Sequence, residues 1–184
     1  MSGVQGTSKY GKYVIQNPID YGYRGYCKPL KKETVVYNPE GFWGPNVWFR
    51  GSTDFNNDFT LMFIRVEDDM AMEVDSHVHD FDMYVFLIPL ERDNMEDLGC
   101  EVEMVYGTEE DEEKHVLTKT GCFFVPKGVI HGPFTFRNMT RPILFVHTMR
   151  AETYYKTEST NPSEARLRGE APSGFAGGGG AEPH

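Results

Sequence analysis

Cysteine is scarce: the 184-residue chain carries Cys27, Cys100 and Cys122 alone. An odd number with no Cys-x-x-Cys pair argues against a secreted disulfide scaffold and for a reducing compartment. Long apolar runs are missing as well. No stretch reaches the roughly 18 apolar residues of a membrane-spanning helix, and the opening MSGVQGTSKYGKYVI has no apolar core followed by a cleavage site. A soluble, cytoplasmic protein is the expectation. Basic residues are outnumbered, 18 against 28 acidic ones, for a formal net charge of −10. That charge repels phosphate backbones and anionic bilayers, and no DNA-binding helix pair is appended, so neither nucleic acid nor membrane is an expected partner. The chain has no Gly-x-Gly-x-x-Gly turn in strand-helix context and no phosphate-binding Gly-x-x-x-x-Gly-Lys-Ser/Thr loop, since the run Gly6 to Lys12 is followed by Tyr13, which leaves a metal as the cofactor its residues suggest. Helical periodicity is nearly absent too.

What the chain has instead is short runs of aromatic and branched residues. Val47 to Arg50, Phe59 to Val66, His77 to Ile88, Cys100 to Tyr106, His115 to Lys119, Cys122 to Val125, Phe134 to Arg137 and Ile143 to Met149 read as strands. Clusters such as Gly51-Ser52-Thr53-Asp54 and Asn56-Asn57-Asp58 read as turns between them. The expected class is all-β, a barrel or sandwich whose closure removes its own edges. The length suits one domain with a sizeable core, and composition divides it in three. Residues 1–40 form an N-terminal arm whose Tyr10, Tyr13, Tyr21, Tyr23 and Tyr26 carry too much apolar surface for a solvated tail, so packing on the barrel or on a second subunit is expected. Residues 41–156 make the barrel. Residues 157–184, polar and containing the run Gly177 to Gly180, read as a disordered tail. Within the barrel, Glu91 to Gly99 reads as a charged inserted loop and Glu109 to Glu113 as a solvated turn.

The informative stretch is Ser76-His77-Val78-His79-Asp80-Phe81-Asp82, answered further on by Gly121-Cys122-Phe123-Phe124-Val125-Pro126-Lys127-Gly128-Val129-Ile130-His131. Histidines at i and i+2 point to one face of a strand, so both imidazoles reach a single ion. The third must come from a neighbouring strand. His131 stands where it would be supplied, past the Pro126-Lys127-Gly128 turn and ahead of the apolar run Phe134 to Phe136. Three imidazoles on rigid strands suit Zn, Fe, Ni, Cu or Mn and leave coordination positions open. Any one of these histidines alone reads as an ordinary core or surface residue. The His-x-His spacing combined with a Pro-x-Gly-x-x-His context carries the assignment.

On these residues the chain resembles a cupin over about residues 60 to 150. The first cupin motif runs Gly, a gap, His-x-His, then Glu after three or four residues, and here supplies His77 and His79. The second runs Gly, Pro-x-Gly, two residues, His, and an Asn a little further on; Gly121, Pro126, Gly128, His131 and Asn138 match it. The resemblance implies a double-stranded β-helix, or jelly-roll, barrel with a metal in its mouth, commonly a homodimer. It does not fix a reaction, because cupins include dioxygenases, decarboxylases, isomerases, lyases and non-catalytic binders. The usual Glu ligand of the family would fall at Met83 or Tyr84, so the expected carboxylate is missing. Counting by two from the histidines, Phe81 and Met83 share their face while Asp80 and Asp82 point away. A His-only triad is favoured. Two alternatives stay open: Asp82 re-aimed by a β-bulge, or a carboxylate from Glu101 or Glu103, whose alternation with Cys100, Val102 and Met104 sends them to solvent if the apolar face is buried.

Three neutral ligands would leave the full charge of a divalent ion to attract an anionic, chelating substrate. The favoured function is an oxidoreductase of dioxygenase type, with Fe(II) held by His77, His79 and His131. The runner-up is a non-redox decarboxylase, lyase or isomerase of a small acid or sugar, using Zn, Ni or Mn as Lewis acid and Glu103, His147 or Tyr84 as the group that moves a proton. A non-catalytic binding or sensing module is the third reading. His147 also reads as a hydrogen-bonded core histidine. Arg65 shares parity with Phe59, Leu61 and Phe63 and is the candidate to hold a substrate carboxylate, against a plain outward arginine. Trp48, Tyr84, Phe124 and Phe136 are candidate pocket aromatics, for which packing is the competing reading. Cys122 carries no claim to reactivity; His115 borders the acidic turn and His184 ends the tail.

Overall fold

The computed structural model describes residues 9–16, 18–20, 28–31, 34–35, 46–73, 76–108, 110–152 and 157–158. In chain order the strands are β1 (Ile19–Asp20), β2 (Lys28–Lys31), β3 (Thr34–Val35), β4 (Asn46–Phe49), β5 (Thr60–Val66), β6 (Met70–Glu73), β7 (His77–Val78), β8 (Met83–Pro89), β9 (Asp97–Tyr106), β10 (Glu113–Lys119), β11 (Gly121–Val125), β12 (His131–Arg137), β13 (Ile143–Met149) and β14 (Thr157–Glu158). Among the described residues helix is confined to a 3-10 turn at Gly11–Tyr13 and a π-helical turn at Gly51–Phe55.

The strands pair antiparallel into two sheets. One runs β1-β4-β5-β13-β8-β11, the other β10-β9-β12-β6-β2-β3, with β7 beside β12 and β14 beside β7. Thus β5, β8, β11 and β13 lie in one sheet and β6, β9, β10 and β12 in the other. A chain that passes back and forth in this order is a jelly roll. The fold is the all-β, double-stranded β-helix of the cupin type.

Alternation explains which side chains fill the space between the sheets. β5, β8 and β13 bury every second residue: Met62, Ile64 and Val66; Met83, Val85 and Leu87; Ile143, Phe145 and Met149. From the facing sheet come Leu98, Cys100, Val102 and Met104 of β9 and Phe134 and Phe136 of β12. The Phe134 ring meets Phe136 edge-on at 5.1 Å and reaches across to Phe145 at 5.9 Å, which locks one sheet over the other. Each fully buried side chain of this size stabilises the fold by about 1.5–3 kcal/mol.

The two outer faces differ. On the eight-stranded sheet Glu101, Glu103 and Arg137 point away from the core, as a solvated face requires. On the six-stranded sheet the outward positions are Leu61 and Phe63, Tyr84, Phe86 and Ile88, Leu144 and Val146, and Phe124. Phe124 stacks on Tyr84 at 4.8 Å, and Phe86 and Phe124 remain 38% and 46% exposed.

Several boundaries differ from those read in the sequence. The expected single strand from His77 to Ile88 is broken at 79–82, leaving the two-residue β7 and then β8. Asp97, Leu98 and Gly99, expected in the charged loop, open β9 instead. Gly99 adopts φ +67, its amide donates to the Asp97 carboxylate, and Arg141 bridges Asp97 and Glu91, so a locally polar segment is held in the sheet by ion pairs. The short strand β6 was not foreseen; the acidic Glu67-Asp68-Asp69 before it masks it. Asp69 has a structural task there, accepting from the amides of Asn138 (3.0 Å) and Met139 (2.7 Å) at the turn after β12. From the expected arm, β1 pairs with β4 and β2 with β6, while Tyr10 and Tyr13 are exposed. Tyr21, Tyr23 and Tyr26 lie outside the described residues, as does the expected tail beyond the two residues of β14.

Candidate metal centre

His77 of β7 and His131 of β12 are register partners, so their side chains leave the sheet on the same side. His79 follows one residue past β7, and its own parity returns it to that side, where it is 3% exposed against 2% for His77 and 1% for His131. The Pro126-Lys127-Gly128 turn is clipped to it: the Gly128 amide donates to the His79 carbonyl at 2.8 Å, and the Val129 amide closes the turn on the Pro126 carbonyl. Gly128 needs its φ of +80, a left-handed conformation that other residues adopt only under strain. Three residues later the chain delivers His131. Its Nδ1 lies 3.0 Å from the carbonyl of Val129. A carbonyl only accepts, so in the neutral ring Nδ1 carries the proton and Nε2 is the lone-pair nitrogen.

The three rings close on one another, with centroids 4.3 Å apart for His77 and His131, 4.9 Å for His77 and His79, and 5.0 Å for His79 and His131. One ligand atom from each lies within 4.8 Å of the others. Three buried imidazole nitrogens converging this closely are the donor set of a borderline divalent ion, and the residues fit one.

His147 of β13 faces the same interior. Burial, with smaller contributions from His79 and His131, pushes its pKa down to about 3, so it is a neutral imidazole at physiological pH. Trp48 and Phe136 are also inside, but as packed core side chains, 2% and 0% exposed. Met83 occupies the position at which a glutamate was expected; it is buried, opposite Met149 and Val125.

Other candidates are not brought to the histidines. The Arg65 Nε pairs with Glu67 at 2.8 Å on the outer face of β5. Tyr84 and Phe124 stack on each other outside the barrel. Glu101 is exposed, and Glu103, opposite Thr135 and Val116, points away from the core with it. Asp82 is engaged elsewhere: its Oδ1 accepts from the Lys127 amide at 2.9 Å and its carbonyl from the Arg150 amide at 3.1 Å. Among the residues whose side chains are described, the buried polar ones are Thr60, Thr135 and the four histidines 77, 79, 131 and 147; no carboxylate is among them.

Sequence reasoning missed Tyr106. It pairs opposite His131, packs against the core, and donates from its hydroxyl to the carbonyl of Phe124 at 3.2 Å, joining β9 of one sheet to β11 of the other at the site end of the barrel. Burial raises its phenol to about 12, which keeps it a neutral donor. The signal was present: Tyr106 shares parity with Cys100, Val102 and Met104. Cys100 is buried in the core, and burial first, then Asp69, raises its thiol to about 11; Cys122 is exposed. His115 is exposed beside Glu113, and His184 lies outside the described residues.

No family model and no curated protein matches the chain. Among solved structures it is similar to Peruvianin-I, described as a cysteine peptidase from Thevetia peruviana latex, at 12% identity and a TM-score of 0.48 over 83% of this chain and 80% of that one. It is similar to an oxalate decarboxylase of Bacillus subtilis at 12% identity and a TM-score of 0.48, over 79% of this chain but 37% of the decarboxylase. An oxalate oxidase aligns at 11% identity and a TM-score of 0.44, over 68% of this chain and 63% of the oxidase. Likeness this distant extends to neither substrate nor reaction. The resemblance to cupins rests on the strand order of the chain itself and on the two motifs that converge at its histidines.

Proposed function

We propose that the protein is a metal-dependent enzyme acting on a small, anionic, chelating molecule, with His77, His79 and His131 as the metal ligands, and that its chemistry is of the Fe(II) dioxygenase type. One observation carries this reading: three imidazoles converge in a buried site, and no carboxylate is among the buried polar side chains described. Bound there, a divalent ion would keep its full charge to attract an anion and, as iron, would add a redox centre suited to dioxygen. The residues of the chain do the rest. His77 and His131 are fixed by strand pairing, the carbonyl of Val129 sets the tautomer of His131, and the apolar side chains around them exclude water. His147, held neutral by burial, presents an uncharged imidazole to the interior and, with its pKa pushed down to about 3, is a poor proton acceptor.

The non-redox alternative asks for a base facing the interior. Glu103 and Tyr84 are placed outside, which leaves His147 to serve it and weakens that reading. The test is metal analysis of protein purified without added metal, followed by oxygen uptake with a panel of catechols, thiols and small dicarboxylates. Iron and oxygen consumption are expected. Full turnover under strict anaerobiosis would overturn the dioxygenase reading.

We propose further that the protein is a homodimer across the outer face of the six-stranded sheet. β5, β8 and β13 are apolar on both faces, a pattern that belongs to strands covered on both sides. Two chains of net charge −10 repel each other least where charge is absent, and on this face Arg65 is paired with Glu67.

A further inference from the structure

We infer that Phe81 is a positioning residue of the metal centre, a flat plate that fixes the plane of the His79 imidazole. This rests on the reading of His77, His79 and His131 as metal ligands. The two rings are stacked, with centroids 4.7 Å apart and planes inclined by 16°, and both are buried, Phe81 at 5% exposed. Phe81 lies in the irregular segment between β7 and β8, two residues after His79, and by parity faces the same interior.

The three ligands are held by different backbone settings. His77 and His131 lie in strands, opposite each other, and His131 is further oriented through Nδ1 by the Val129 carbonyl. His79 has already left the strand, and the clip from Gly128 holds its backbone carbonyl. The second side-chain torsion of a histidine is broad, so rotamer preference alone does not orient the ring. A ligand nitrogen must nevertheless hold its place to about 0.5 Å and 10–20° for a metal to be bound well. An aromatic face lying flat on the imidazole restricts that rotation sterically, and offset stacking adds attraction of its own.

The experiment uses the full chain, stripped of metal and titrated with Zn(II) and Co(II) against a chromophoric chelator. Phe81→Met keeps most of the volume but offers no plate, Phe81→Leu is the second such variant, Phe81→Tyr restores the ring, and Phe123→Leu is a control that removes a buried core ring whose aromatic contact is with Phe134. Thermal unfolding of the metal-free proteins identifies those that fold. Expected is a loss of metal affinity of about ten- to hundredfold for Phe81→Met and Phe81→Leu, as for other groups that orient a ligand, with a changed Co(II) visible spectrum; Phe81→Tyr and Phe123→Leu should bind as the parent does. Parent-like affinity in a folded Phe81→Met or Phe81→Leu protein would overturn the inference, as would an equal loss in Phe123→Leu, which would mean general loosening of the core. A parent protein that takes up neither metal would overturn the ligand assignment itself, and the role of Phe81 with it.

Discussion

The Gly128 amide donates to the carbonyl of His79 across 2.8 Å, joining the turn of the second motif to the His-x-His of the first. These segments are far apart in sequence and border the paired strands β12 and β7. The bond sets the height of His131 relative to His79, because only Val129 and Ile130 separate Gly128 from His131. The Pro-x-Gly-x-x-His spacing is therefore a ruler: a left-handed glycine turns the chain, its amide finds the opposing ligand residue, and two residues span the gap to the next ligand.

Gly128→Ala tests the ruler. A Cβ added at Gly128 meets nothing within 4 Å, so the cost is conformational, from a φ of +80, and amounts to about 1–2 kcal/mol. Gly128→Asn should cost less, since asparagine tolerates this region. Denaturant unfolding should rank parent, Asn and Ala in that order, and chelator competition should rank metal affinity likewise. Equal stability for parent and Gly128→Ala would mean that the turn relaxes without its glycine.

Asp82 should be a clasp and not a ligand. Removing the carboxylate in Asp82→Ala breaks its bond to the Lys127 amide, a loss of about 0.5–1.5 kcal/mol. Unfolding should show this loss while the metal content stays at the parental level. A fall in metal content to the level of a histidine variant would restore Asp82 as a fourth ligand.

The contrast between Asp82 and Arg65 shows what strand parity can and cannot settle. From His77 to Pro89 burial alternates without a slip, even through the break at 79–82, so counting by two placed Phe81 and Met83 with the histidines and Asp82 away from them. The same count grouped Arg65 with Leu61 and Phe63, correctly, but that group is the outer one. Where both faces of a strand are apolar, alternation sorts residues into two sets without saying which set is inside. Tyr84 and Phe124 went the same way, their large apolar surface being spent on an outer face. Trp48 and Phe136 are interior but are core packing. Asp97 was lost to the opposite ambiguity: a polar segment pinned by Arg141 is strand by tertiary contact, against its local composition.

His147 should make the metal-free protein acid-sensitive. Unfolded, a histidine titrates near 6.5, whereas folded His147 stays neutral down to about 3. Below pH 6.5 the unfolded chain takes up a proton that the folded chain refuses, so stability falls as pH drops from about 6.5 toward 3; above 6.5 this residue adds no pH dependence. The slope contributed is at most about 1.4 kcal/mol per pH unit. Urea unfolding of the chelated parent and of His147→Gln between pH 7 and pH 4.5 should give a shallower decline for the variant. Parallel curves would show that His147 gains a proton without unfolding.

Self-association can be read from one pair of substitutions. Phe86 and Phe124 lie on the apolar outer face, and exchanging either for glutamate puts a charge where a partner sheet would pack. Sedimentation should give a dimer for the parent and a monomer for Phe86→Glu and Phe124→Glu, with metal content unchanged because neither residue faces the interior. A parent that sediments as a monomer would refute the dimer.

Metal removal provides the sharpest check on the site, because it is read in stability and needs no substrate. An ion that binds the folded chain and not the unfolded one stabilises it by about 2.7 kcal/mol at a concentration 100 times its dissociation constant. Adding Fe(II) under anaerobic conditions, or Zn(II), should therefore raise the parental Tm, and a chelator should reverse it. His77→Ala and His131→Ala each delete one of three buried donors, so neither should respond. The metal-free variants also bear on what the triad costs: three imidazoles in an apolar interior are favourable there mainly through the ion they hold, so each alanine variant, although it leaves space behind, should lie closer to the metal-free parent than to the loaded one. An unchanged response to metal in both variants would move the metal away from these histidines altogether.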